Sequence, residues 1–542
     1  MLRHQRVIEV AQRSGMSRVA LVCLGAFLRS WCLVVSAFVI GGCAALPEFP
    51  VRPDSHALVA TPDTTLGGVA RDANIPPAQS GLWPMPEASV ALDARLELMR
   101  RATLSLDVQY YHVADDSIGR SVLRALREAA ARGVRVRLLV DDLYTSGMDE
   151  LLLGLAAVPQ VEVRIFNPFP ARRTSSLLRS LDFLRDFKRL NQRMHNKLLV
   201  ADGSVAVVGG RNLADEYFFR HADANFIDFD MLVAGAVVPE LNGAFDRYWN
   251  SAMVYPVELL VHSSVGPAER VAVFDRLTAG DTAPPARTEP DMFGDPSLGA
   301  QLLSRRFILM AGGAQAWVDE PAKAQDQRSG AMTVKQRFVQ EMGTARERLL
   351  LFSPYFIPGQ EGVASLTRAR QRGVEVRVIT NSLVASDEPL VNVGYSQYRV
   401  ELLRSGVRLF EVASERLKSD SRIGRLLGAS AGRLHAKMAF IDGETTLVGS
   451  MNLDPRSEHI NNEIGVVVHS RAFTQRVQQV FDPERNVDFE VKLGDGADGG
   501  VGLVWVSRNG DIEQRRLDEP SPGFWQQLKL RLMWLLVPED LL

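Results

Sequence analysis

The alternation of apolar and polar positions marks two similar stretches of chain. In the first, a helical pattern over Ile118–Arg132 stops at Gly133, the position of a helix C-cap, and an apolar strand over Val134–Val140 follows. In the second, the same sequence of events runs from Gly362–Arg372 through Gly373 to an apolar strand over Val374–Thr380. Farther along, apolar residues follow Lys197 and Lys437 and lead into Asp202-Gly203 and Asp442-Gly443. The apolar runs Val205–Val208 and Thr446–Val448 come next. Asp-Gly between two apolar runs predicts a tight β-hairpin turn. Strand, crossover helix, strand predicts an α/β fold, each stretch a mixed, mainly parallel sheet flanked by helices.

The two stretches are copies at an offset of 240 residues: His195, Lys197, Asp202, Gly209 and Asn212 recur as His435, Lys437, Asp442, Gly449 and Asn452. In each copy the histidine also lies 62 positions after the C-cap glycine. Two lobes packed as a pseudo-dimer are expected. The organisation that follows is a leader (1–42), a loose tether (43–88), a first lobe (89–278) and a linker with insertion (279–332). A second lobe (333–490) and a C-terminal extension (491–542) complete it. Within the extension, Trp525, Leu528, Leu532 and Leu535 share a helical stripe that suits either a membrane interface or docking on the protein core.

The N-terminus adds a targeting signal. Four arginines in residues 1–18 precede two apolar stretches, Val19–Leu28 and Trp31–Ile40, which Arg29 interrupts. That arrangement suits a signal peptide, with an uncleaved anchor as the alternative. Ile40-Gly41-Gly42-Cys43 resembles a bacterial lipobox, which implies acylation at Cys43 and a periplasm-facing, membrane-anchored protein of the cell envelope.

Composition narrows the chemistry. The 542 residues carry 62 basic and 64 acidic side chains, for a net charge of −2, which argues against a generally basic nucleic-acid binder. All three cysteines (Cys23, Cys32, Cys43) lie near the start, so the rest of the chain has no thiol nucleophile, disulfide framework or zinc knuckle.

On a strand, side chains two apart face the same way, so His195 projects with Lys197 and His435 with Lys437. Gly209-Gly210 and Gly449-Ser450 allow close backbone approach, and Asn212 and Asn452 add amide donors. A histidine beside an ammonium and an amide, supplied twice, suits a phosphate diester. One imidazole attacks phosphorus, the other protonates the departing alkoxide, and Lys197, Lys437, Asn212 and Asn452 hold the nonbridging oxygens. For Asp202 and Asp442 the neighbouring glycines favour a turn role at least as much as a catalytic one.

The pattern His-x-Lys-x4-Asp-x6-Gly-[Gly/Ser]-x-Asn, present twice, resembles the two HKD motifs of the phospholipase D superfamily over roughly residues 90–490. That resemblance implies metal-free and cofactor-free catalysis through a covalent phosphohistidine, with His195 as nucleophile and His435 as general acid, or the reverse. Asp202 and Asp442 are the third motif residues. It also implies a carboxylate after each motif that orients its histidine: Glu463 in the second copy, and Asp230, with Asp228 as the alternative, in the first.

Further segments are similar to phosphatidyltransferases of the cardiolipin synthase C type. They are Arg189-x-Asn191-x-Arg193-Met194-His195-Asn196-Lys197, Phe245-Asp246-Arg247-Tyr248-Trp249-Asn250-Ser251, and the closing Leu536-Val537-Pro538-Glu539-Asp540-Leu541-Leu542. Basic residues precede each catalytic strand. Arg172, Arg173, Arg179, Arg185, Lys188, Arg189 and Arg193 alternate with Leu177, Leu178, Leu181, Phe183, Leu184 and Phe187, a mixture suited to anionic headgroups and acyl tails. The expected activity is phosphatidyl transfer at a membrane, acting on phospholipids and not on nucleic acid. A hydrolytic phospholipase D and a nuclease of the same superfamily are the alternatives.

Overall fold

The predicted hairpins form where Asp-Gly stands. Asp202 and Gly203 have φ of 51° and 59°, and Asp442 and Gly443 have φ of 53° and 70°, the doubly left-handed turn whose twist matches the flanking strands. The predicted C-cap glycines also hold, with Gly133 at φ 93° and Gly373 at φ 88° after helices Ser117–Ala131 and Gly359–Gln371. Asp116 caps the first of these helices by accepting from the Gly119 N–H at 2.9 Å.

The computed structural model describes residues 46–48, 52–170, 173, 175–325, 331–413, 431–482, 488–495, 501–509, 512–520, 523, 529–530 and 532–533. The predicted leader, Cys43 and most of the stripe at 524–536 lie outside the described residues.

The first half has strands β1 (Ser80–Met85), β2 (Ser105–Tyr110), β3 (Arg135–Asp141), β4 (Val161–Phe166), β5 (Lys197–Ala201), β6 (Val205–Gly209), β7 (Ala224–Ile227), β8 (Asp230–Gly235) and β9 (Val254–Pro256). Its sheet order is β9-β4-β3-β2-β5-β6-β8-β1. The second half repeats the plan with β10 (Met310–Val318), β11 (Arg348–Phe352), β12 (Glu375–Asn381), β13 (Arg408–Val412), β14 (Ala431–Leu434), β15 (Met438–Ile441), β16 (Thr445–Gly449), β17 (Ile464–His469) and β18 (Phe489–Asp495). Its order is β18-β13-β12-β11-β15-β16-β17-β10. In each half the parallel strands are the three around the helix crossovers, β2-β3-β4 and β11-β12-β13. The flanking strands run antiparallel, so the sheet is mixed and the duplication complete.

Two boundaries differ from expectation. The tether is not loose over 52–88: Ser55 and Ala57 donate backbone N–H groups to Asn250 and Asp246, and β1 is fully buried beside β8. Nor is 279–332 all linker, because β10 is the strand of the second half equivalent to β1 and pairs with β17. The pairing of β1 with β10, at Ser80–Gly312 to Leu82–Met310, joins the two sheets edge to edge. The extension carries β18, β19 (Val501–Asn509) and β20 (Ile512–Arg516), an antiparallel ribbon on the outer edge of the second sheet.

Alternation decides which core each side chain joins. Leu198 and Val200 of β5 pack with Met438 and Phe440 of β15 in one core shared by both halves. Leu199 and Ala201 turn instead to the helices of the first half, and Ala439 and Ile441 to those of the second. A large side chain such as Phe440 in that shared core contributes about 3–5 kcal/mol against truncation to alanine. Docking of the halves is therefore a hydrophobic event, and it places the ends of β5 and β15 together. Among the described residues no helix is long and apolar enough to cross a membrane.

Candidate active site

Each histidine sits two residues before its lysine, just ahead of β5 or at the entrance to β15, and backbone from the other half fixes it. His195 N–H donates to the Asn462 carbonyl and Asn462 N–H to the Arg193 carbonyl, both at 2.8 Å. His435 N–H donates to the Ile227 carbonyl at 2.8 Å, where β14 pairs in parallel with β7. Lys197 Nζ donates to the His195 carbonyl at 2.7 Å, and Lys437 Nζ to the His435 carbonyl at 2.6 Å. All four side chains are buried together, with His195 7% and His435 4% exposed.

The orienting carboxylates cross between the halves. His195 Nδ1 lies 2.9 Å from Glu463 Oε2, and His435 Nδ1 lies 2.6 Å from Asp228 Oδ2. The expectation that each carboxylate serves the histidine of its own motif is thereby corrected. Asp230 is also corrected: it points to Arg95 and Arg211, at 3.0 and 3.1 Å, in a fully buried ionic cluster. Strand register explains the choice. Gly209 pairs with Asp230 and Gly449 with Gly465, so the residues two positions earlier, Asp228 and Glu463, are structural equivalents.

The small residues after each hairpin make room for these carboxylates. A Cβ on Gly210 would lie 2.2 Å from Asp228 Oδ1, while its counterpart Ser450 hydrogen-bonds Glu463 through Oγ. Ser457 Oγ donates to the other Glu463 oxygen at 2.9 Å.

Burial opposes ionisation of the carboxylates, yet the facing imidazoles and nearby lysines hold Glu463 and Asp228 at about 2. Burial pushes the imidazoles the other way, His195 down to about 4 and His435 below its usual value. Near neutral pH each histidine is therefore a neutral ring that donates Nδ1–H to a carboxylate and turns the Nε2 lone pair to the site. Burial lowers Lys197 well below the usual lysine range and brings Lys437 to about 8. A bound phosphodiester anion compensates both lysines. Tyr111 packs edge-on to His195 at 4.8 Å between centroids and faces Lys197 Nζ at 5.1 Å. Its motif gave no signal in the sequence beyond an apolar strand end.

Asp202 and Asp442 are not part of this cluster. A five-residue strand separates Asp202 from Lys197, roughly 16 Å at about 3.3 Å per residue. Asp202 instead accepts from the backbone N–H groups of Thr103, Leu104 and Ser105. Asp442 accepts from those of Arg346, Glu347 and Arg348. Both carboxylates cap the start of the neighbouring strand, the turn-associated role. Asn212 reaches the site's wall, its Nδ2 donating at 2.8 Å to Tyr217 beside His435, and both Asn212 and Asn452 are buried with an unpartnered Oδ1. Among the described residues no group of three or more histidine, cysteine or acidic side chains is arranged to hold a metal ion.

The basic run before His195 is divided: Arg173, Arg179 and Arg193 are buried, whereas Arg185 and Lys188 are exposed. Arg173 pairs with Asp142 and Asp149, Arg189 with Asp186 and Arg193 with Asp141. Arg172 of this run, and Arg416, Lys418, Arg422 and Arg425 of the basic residues that precede His435, lie outside the described residues. The apolar part of that run is exposed: Leu177, Leu181 and Leu184 lie on one face of helix Ser176–Arg185, Leu184 77% exposed, and Phe187 follows.

Comparison with known proteins agrees with this geometry. Residues 96–249 and 338–484 match the family model described as cardiolipin synthase, PLD-like domain. The chain is 37% identical over 469 residues to cardiolipin synthase C of Escherichia coli (strain K12), covering 86% of this chain and 97% of that protein. It is 27% identical over 403 residues to cardiolipin synthase A of Pseudomonas syringae pv. syringae (strain B728a), covering 74% of this chain and 67% of that one. Its fold resembles the crystal structure of phosphatidylserine synthase from Haemophilus influenzae Rd KW20, with a TM-score of 0.50 and 14% identity over 78% of this chain and 92% of that one. The two matched segments coincide with the two halves that each bring one histidine and one lysine to the shared site, and the chain belongs to the cardiolipin synthase, PLD-like domain family.

Proposed function

We propose that this protein is a phosphatidyltransferase that moves a phosphatidyl group from one lipid to the hydroxyl of another, as in cardiolipin synthesis. The observation that carries it is the pair of buried imidazoles, each aimed by a carboxylate of the opposite half and each beside a lysine. The anionic phosphodiester draws a proton from solvent onto His435 Nε2 as it binds; His195 Nε2 then attacks phosphorus as the leaving P–O bond breaks, and the departing alkoxide takes that proton. The acceptor hydroxyl then attacks phosphorus, gives its proton to His435, and breaks the P–N bond to restore His195. Lys197 and Lys437 neutralise the nonbridging oxygens through both steps.

Transfer is favoured over hydrolysis because the site is almost closed to solvent, and burial limits the water that competes for the phosphohistidine. Likeness to cardiolipin synthases supports the same choice. Membrane association follows from the lipobox-like Ile40–Cys43, with acylation at Cys43 and a periplasm-facing lipoprotein as the localisation. The exposed leucine face of Ser176–Arg185, with Arg185 and Lys188 beside it, is a second contact with anionic lipid.

The test is incubation of the purified protein with labelled phosphatidylglycerol and phosphatidylethanolamine. Labelled cardiolipin is the expected product. Phosphatidic acid alone would make it a hydrolase, and cleavage of DNA with inertness on lipid would make it a nuclease. His195→Ala is expected to abolish both turnover and covalent phosphoenzyme.

A further inference from the structure

The two halves are near copies, yet the two reacting nitrogens have different surroundings. His435 Nε2 lies 3.5 Å from the Tyr217 hydroxyl, and the phenol and imidazole rings meet edge-on at 84° with centroids 5.0 Å apart. Tyr217 is buried and fixed. Asn212 Nδ2 donates to its oxygen at 2.8 Å, and Phe226 packs on both the phenol and the imidazole at 4.8 and 4.9 Å. With one lone pair accepting from Asn212, the Tyr217 O–H points to its remaining neighbour, the Nε2 lone pair of neutral His435. Once Nε2 is protonated, the second lone pair of Tyr217 accepts in its turn.

The 240-residue offset identifies the counterpart. Asn212 corresponds to Asn452, and Tyr217 to Ser457. Ser457 points away from any imidazole nitrogen that reacts: its Oγ accepts from the Asn452 N–H at 3.1 Å and donates to Glu463 at 2.9 Å. Among the described residues, no side chain is hydrogen-bonded to His195 Nε2. The first half therefore sends a phenol across to His435, and the second half sends nothing comparable to His195.

We propose that Tyr217 is a positioning residue that makes the two histidines unequal: by engaging Nε2 of His435 it reserves that ring for proton transfer and leaves His195 as the nucleophile. The inference rests on the phosphodiester reading above and deepens it. A lone pair already accepting a hydrogen bond is a poorer nucleophile towards phosphorus than one facing the substrate directly. The edge-on packing of Tyr217 and Phe226 on the imidazole keeps the His435 ring at the orientation from which Nε2–H, once substrate has brought its proton, reaches a departing alkoxide. Tyr217 itself exchanges no proton with substrate. It steers the proton that His435 gives to the leaving oxygen in the first step and takes from the acceptor hydroxyl in the second.

A general acid matters when the leaving group is a poor one and hardly at all when it is a good one. The experiment compares full-length protein and Tyr217→Phe on two substrates, a phospholipid with a glycerol alkoxide leaving group and a p-nitrophenyl phosphodiester with a nitrophenolate leaving group. Expected for Tyr217→Phe is a fall of about thirtyfold or more in kcat/KM on the lipid, with less than about threefold on the aryl ester. The pH profile for the lipid is expected to shift while that for the aryl ester stays. Equal falls on both substrates, or no fall on the lipid, would overturn the assignment.

A second measurement needs no variant. Wild-type protein carrying a labelled phosphatidyl group is quenched in denaturant at neutral pH, which spares the acid-labile P–N bond, then digested and the labelled peptide mapped. Label confined to the peptide containing His195 supports the assignment, and label on the peptide containing His435 refutes it. Absence of any turnover of the aryl ester by wild-type protein would instead remove the phosphodiester reading itself, which separates the two failures.

Discussion

The two motif aspartates offer a decisive contrast between a capping role and a catalytic one. Asp442 accepts from three successive backbone N–H groups at 3.0, 2.9 and 2.8 Å, at the exposed start of β11. Asp202 does the same for Thr103, Leu104 and Ser105, at 3.1, 2.8 and 3.0 Å, and is itself completely buried. Truncation to alanine removes the acceptors in both cases, but only at Asp202 is water kept from replacing them. At about 0.5–1.5 kcal/mol per solvent-replaceable bond, the three bonds make Asp442→Ala cost about 1.5–4.5 kcal/mol. With three donors stranded at about 1–3 kcal/mol each, Asp202→Ala is expected to cost about 3–9 kcal/mol, roughly twice as much. For a unit this large the entropy of unfolding makes each kcal/mol worth about 1 °C in melting temperature, so chemical denaturation is the sharper measure. The assay pairs that denaturation with kcat/KM per folded molecule. Folded Asp442→Ala is expected to retain activity within about threefold, because its carboxylate lies a full strand away from Lys437. A loss beyond about a hundredfold with unchanged stability would refute the capping argument and restore the aspartate to the chemistry.

Acid is expected to destabilise the protein in two stages. His195 has a folded value of about 4 against 6.5, so the unfolded chain binds the extra proton and stability falls as pH drops from 6.5 to 4. Glu463, at about 2 against 4.5, extends the loss below pH 4.5, and denaturation midpoints across pH 3–7 check both stages. Gly210→Ala places a methyl group 2.2 Å from Asp228 Oδ1 and is expected to lower lipid turnover about a hundredfold by displacing the His435 partner, measured against retained thermal stability. The double variant Leu181→Glu, Leu184→Glu is expected to weaken binding to phosphatidylglycerol vesicles about tenfold or more while sparing a soluble aryl diester, since both side chains are exposed. Equal loss on both substrates would tie that helix to the fold instead.

Much of the fold was legible because its signals are local. The glycine C-caps at Gly133 and Gly373, the Asp-Gly turns and the 240-residue repeat all follow from dihedral preference and period alone. The strands β1 and β10 carry no local strand signal, for a physical reason. β1 contains Pro84 and sits in a segment rich in turn residues, and β10 begins Met310-Ala311-Gly312-Gly313-Ala314, too small and too even for alternation to show. Their burial comes from pairing with distant strands and with each other. The basic residues before His195 suggest a lipid-facing surface, but the acids that neutralise Arg173 and Arg193 belong to the end of β3 and the residues that follow it (Asp141, Asp142 and Asp149), which no local window contains.

The sequence by itself determined which residues could do the chemistry: two histidines, each with a lysine two positions later on the same side of a strand, repeated at a constant spacing. That follows from the period of two along a strand and needs no tertiary information. Only the tertiary structure decided how those residues are wired. Glu463 serves His195 across 268 positions of chain, and Asp228 serves His435 across 207. Such pairings arise when two hydrophobic sheet faces dock and set the strand ends of one half against those of the other. Sequence spacing carries no record of that contact, so Asp230 and Asp228 looked interchangeable until register turned one to a structural arginine cluster and the other to a catalytic ring.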